Sequence, residues 1–161
     1  MSNNKEINFK EKLKQALTST ARVISDDLEK EKNNNQNKSS NKFDFFEIDN
    51  LNSKSDFIKA RAESDCSALK KKFSNDNIFK KNLPLNSSCR SLYTIAERIR
   101  YEILGGKMLK GVELNIKENY DRVINLKRKD QLKSKEDVNV SEAFELYMLK
   151  KFHNIELNDL F

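Results

Sequence analysis

Apolar residues recur at intervals of three and four in five separate stretches of this chain, and no other feature constrains its fold as much. At 3.6 residues per turn that spacing collects them on one face of a helix. The first predicted helix runs from about Lys5 to Leu28. Phe9, Leu13, Ala16, Leu17, Ala21, Ile24 and Leu28 share a face, while Lys10, Lys12, Lys14 and Arg22 turn mostly to water. A second helix is predicted from Ser53, which with Asp56 three residues on makes a capping arrangement with an acid at the positive helix end. Its stripe is Ile58, Ala62, Cys66 (or Asp65), Leu69 and Phe73.

The third helix is predicted from about Ser87 to Leu104, with Leu92, Ile95, Ala96, Ile99 and Ile103 facing inward and Gly105-Gly106 as its stop. A fourth follows from Lys107 or Gly111 to Arg128, lined by Val112, Ile116, Tyr120 and Val123. The last starts near Ser141, capped by Asn139 with Glu142, and its apolar face is read as Ala143, Phe144, Tyr147, Met148 and Phe152. Residues 74–85 read as irregular, anchored by Ile78, Phe79 and Leu83 and broken at Pro84. Lys127 to Asp137 reads as a charged, solvated connection.

Two other stretches lack this period. Glu29 to Asn41 contains no apolar residue, so nothing there offsets the entropy of ordering, and it reads as a flexible linker. Phe43, Phe45, Phe46 and Ile48 form a short apolar run, either a clip covering a helix or a docking segment. The expected fold class is therefore mainly α: an irregular multi-helix domain with a flexible polar linker after the first helix. The chain divides into a helix over 1–30, a linker over 31–42 and a helical domain over 43–161.

Composition agrees. With 3 Gly and 1 Pro, the chain has little of the turn chemistry that a strand-rich fold needs. Hydrophobic residues at 37% against 35% charged leave a thin core that a partner can complete. The charge of +6 arises from 31 basic and 25 acidic residues, so it is a modest excess in a mixed background. Lys70–Lys72, Lys80-Lys81 and Lys127-Arg128-Lys129 could touch phosphates, and a small basic nucleic-acid-binding or adaptor module is the alternative reading. No nucleic-acid motif accompanies those runs, and nucleic acid is not the expected partner.

Catalytic signatures are missing. There is no phosphate loop GxxxxGK[ST], no GxGxxG, no HExxH and no GxSxG. Cys66, Cys89 and His153 do not stand at metal-ligand spacing. Both cysteines read as reduced, part-buried thiols, and His153 as a surface or part-packed side chain. No catalytic, cofactor-binding or metal residue is expected in this segment. Neither a signal peptide nor an apolar run of membrane length occurs, so the expectation is a cytoplasmic protein without a membrane partner.

The most informative stretch is Glu97 to Ile116, ERIRYEILGGKMLKGVELNI. Arg98 and Glu102 are i,i+4 neighbours, and Glu97 and Arg100 are i,i+3 neighbours. Pairs of that kind support a helix by about 0.2–0.5 kcal/mol each. The whole pattern, Glu97-x-x-Arg100-x-Glu102-x-x-Gly105 and then Gly111-Val112-x-x-Asn115-Ile116, resembles the amino-terminal region of the T subunit of aerobic cobaltochelatase, the CobT family. Arg61, Asp65, Ala68, Leu69, Asp76 and Pro84 fall in a comparable order upstream. Phe9 to Leu28 resembles the family's opening helix, and Glu142 to Lys151 a later segment.

The resemblance implies a part of an ATP-dependent ligase that inserts cobalt into hydrogenobyrinic acid a,c-diamide in cobalamin biosynthesis. An AAA+ S subunit and a large N subunit would be its partners, and ATP, Mg and cobalt are used by the whole complex rather than by this segment. The family's D-x-S-x-S metal-adhesion motif does not occur here. The apolar ending Ile155, Leu157, Leu160, Phe161 reads as a cut through a structured region, so the chain is expected to be an amino-terminal fragment that serves in subunit assembly. Glu97, Arg100, Glu102, Gly105, Gly111 and Asn115 are its candidate partner interface, the glycines permitting close backbone approach.

Overall fold

A computed structural model describes residues 2–26, 51, 53–127 and 138–157, side chains from residue 9 on and excepting 125–127. Among them are six helices and no strand: α1 Ser2–Ile24, α2 Lys54–Phe73, α3 Asp76–Lys81, α4 Ser87–Met108, α5 Lys110–Lys127 and α6 Val140–His153. The fold is mainly α, as the periodicity requires. The chain divides into two compact units, Met1–Lys72 and Phe73–Phe161. The predicted linker and the Phe43–Ile48 run lie outside the described residues, as does most of the connection after α5.

In the first unit, the capping pattern read at Ser53 is formed. Ser53 N–H donates to Asp56 Oδ2 at 2.9 Å, and Asp56 N–H donates back to Ser53 Oγ at 3.2 Å. Two donors without intrahelical partners are thereby satisfied at the start of α2. Its buried face is Ile58, Ala62, Asp65, Ala68 and Leu69, so Asp65 rather than Cys66 is the fully buried member of the alternative pair. α1 begins earlier than predicted, and of its described side chains, from residue 9 on, the buried ones lie in its later turns. Leu17, Ala21 and Ile24 are buried, whereas Phe9 is 59% exposed and Ala16 is exposed too. After α1 the chain turns through Asp26 in the left-handed region (φ 59°), and Lys72 at the end of α2 pairs with the Asp26 carboxylate.

The second unit is organised by α4, which packs against both α5 and α6. Three asparagines set the helix starts. Asn75 accepts from the N–H groups of Asn77 and Ile78, Asn86 from Cys89, and Asn139 from Glu142 at 2.8 Å. The first of these produces α3, a short helix in the stretch read as irregular. Its Phe79 stacks on Tyr93 of α4 with ring centroids 5.1 Å apart. Asn154 closes α6 in the left-handed conformation, which asparagine tolerates better than most residues.

Gly105-Gly106 does not stop α4. No glycine has a positive φ, and the helix continues to Met108 before a single extended residue, Leu109. The glycine pair serves packing instead. A Cβ on Gly106 would lie 3.2 Å from Glu113 Cβ, so its bare backbone lets α5 fold back closely. The unit's core joins Ile99, Ile124, Leu146, Leu149 and Ile155, with Ile95, Ile103, Tyr120 and Met148 around them.

The predicted stripes shift in two places. On α5, Val123 is exposed and Ile124 is the buried residue. On α6, Ala143, Tyr147 and Phe152 face outward, and Leu146, Leu149 and His153 are buried. Helix α6 carries apolar groups on both faces, so periodicity alone does not decide between them. Cys89 is exposed and Cys66 half-buried, and neither is in a disulfide among the described residues.

The Asn139 cap is expected to support α6 directly. Asn139→Ala should lower stability to urea by about 1 kcal/mol, while Asn139→Asp should retain it. Equal midpoints for wild type and Asn139→Ala would show that the cap contributes nothing.

Candidate functional site

The polar side chains of the second unit converge on one carboxylate. Glu102 is only 1% exposed although it is charged. It follows Ile99 by three residues and Ile95 by seven, so the same turn of α4 that buries the isoleucines carries it inward. A carboxylate removed from water is costly unless donors replace its hydration. Tyr120 of α5 supplies one, its hydroxyl lying 2.9 Å from Oε1 and 3.0 Å from Oε2. His153 at the end of α6 places Nε2 3.3 Å from Oε2, as a close electrostatic contact without hydrogen-bond geometry. Arg98, one turn earlier on α4, has Nε 3.8 Å from Oε1.

Arg98 extends the cluster. Its terminal nitrogen lies 2.6 Å from Glu145 of α6, and its guanidinium carbon is 5.8 Å from the centre of the Tyr120 ring. Burial opposes the Arg98 charge, but Tyr120, Glu145 and Glu102 outweigh it and raise its pKa above the ordinary value. The rings of Tyr120 and His153 are 5.7 Å apart. Three side chains from three helices, Tyr120, His153 and Arg98, therefore surround the buried carboxylate, and Glu145 joins the cluster through Arg98; its chemistry is electrostatic cohesion.

A second network sits at the start of this unit. Glu97 accepts from Ser74 Oγ at 2.6 Å and pairs with Arg100 at 2.6 and 2.8 Å. Arg100 also donates to the Phe73 carbonyl at 2.6 Å, fixing the first residue of this unit to α4. Its pKa is raised chiefly by the hydrogen bond to Glu97.

These positions revise the candidate interface read from the sequence. Glu97 is half-buried and Arg100 exposed, Gly111 is exposed and Asn115 half-buried. Glu102 and Gly105 are buried. The six residues thus do not form one surface. Sequence reasoning missed Tyr120 and His153 as neighbours of the buried carboxylate and Glu145 as the partner of Arg98. The available signal was Glu102 itself, an acid on the apolar stripe of α4, which calls for donors elsewhere. Of the lysine runs, Lys72 is paired with Asp26, while Arg128 and Lys129 lie outside the described residues.

Among the described residues, no three His, Cys, Asp or Glu side chains group as metal ligands, and no helix is long and apolar enough to cross a membrane. The sequence model of the family "Cobalamin biosynthesis protein CobT" matches residues 8–154. The chain belongs to the CobT family. The match takes in both compact units, so the buried cluster and the capped helices are features of a CobT-family region. No curated protein and no solved structure matches this CobT-family chain.

The cluster makes a clear distinction between neighbouring charges. Glu102→Ala should cost about 3 kcal/mol or more, because it leaves Arg98 and Tyr120 facing a cavity in place of their acceptor. Arg100→Ala, at an exposed pair, should cost about 1 kcal/mol or less. Chemical denaturation checks both, and equal losses would show that burial of Glu102 carries no special weight.

Proposed function

We propose that this CobT-family chain is the docking part of the T subunit of an ATP-dependent cobaltochelatase. In this reading it joins an AAA+ ATPase subunit to the large subunit that holds hydrogenobyrinic acid a,c-diamide, and cobalt is the substrate inserted. The family match over residues 8–154 carries the proposal. The buried cluster agrees with it physically, because Glu102, Arg98 and Tyr120 are committed to holding helices together rather than facing a substrate cleft. Insertion requires the metal to shed water and the macrocycle to deform and lose protons. ATP-driven motion in a partner subunit would do that work, and a rigid helical adaptor would pass it on. The role assigned to this chain is assembly, with the bond-forming step performed elsewhere in the complex.

The test is association. The purified 161-residue chain, mixed with the AAA+ subunit and with the large subunit of the same chelatase, should co-elute with at least one of them in gel filtration. A chain that migrates alone in both mixtures contradicts the proposal.

A further inference from the structure

We draw no further inference here: the strongest candidate, the buried His153 side chain whose Nε2 lies 3.3 Å from Glu102 Oε2 where α4, α5 and α6 meet, belongs to the cluster already described, and that contact lacks the hydrogen-bond geometry on which a proton-dependent switch could be argued.

Discussion

A single buried carboxylate sets the terms for the second half of this molecule. Burying Glu102 is unfavourable alone, and the hydroxyl that Tyr120 of α5 brings to both carboxylate oxygens offsets that cost. The apolar core of Ile99, Ile124, Leu146, Leu149 and Ile155 provides the driving force for association. Apolar packing alone would allow α6 to rotate, because that helix carries hydrophobic residues on more than one face. The polar cluster reduces the ambiguity: the face bearing Glu145 and Leu149 brings a carboxylate to Arg98 while burying Leu149 in the core. Specificity of arrangement, more than net stability, is what such buried charge can supply.

That division of labour explains what the sequence made legible. Helices were readable because their signals are local: the period of Ile58, Ala62 and Leu69, the reciprocal caps of Ser53 and Asp56, and the Asn139 cap. Helix rotation and site membership were not, because they depend on residues far apart in the chain. Val123 and Ile124 are adjacent and both apolar, and tertiary contact alone chooses Ile124. Phe152 is a larger apolar group than His153, yet His153 is the buried one, with Nε2 3.3 Å from Glu102. Gly105-Gly106 had the composition of a helix stop, but close approach of Glu113 gives Gly106 a packing role in mid-helix.

The family likeness was visible in the order of residues from Glu97 to Ile116, and the match over residues 8–154 places the chain in the CobT family. The same stretch mixes two kinds of residue that a motif cannot separate. Glu102 and Gly105 serve the interior, whereas Gly111 lies in open space beside exposed leucines. A pattern of recurring residue types thus combines fold maintenance with whatever the surface does, and only burial distinguishes them.

The central claim is that Glu102 and Tyr120 act as one unit in orienting the helices, and a double-mutant cycle measures that directly. Tyr120→Phe is introduced into wild type and into Glu102→Met, and unfolding free energies are compared by urea titration. The account predicts a coupling of about 1.5–3 kcal/mol, the size of a hydrogen bond to a charged group, with Tyr120→Phe costing far less once the carboxylate is gone. Additive losses, with coupling near zero, would contradict it and reduce the cluster to a bystander of apolar packing.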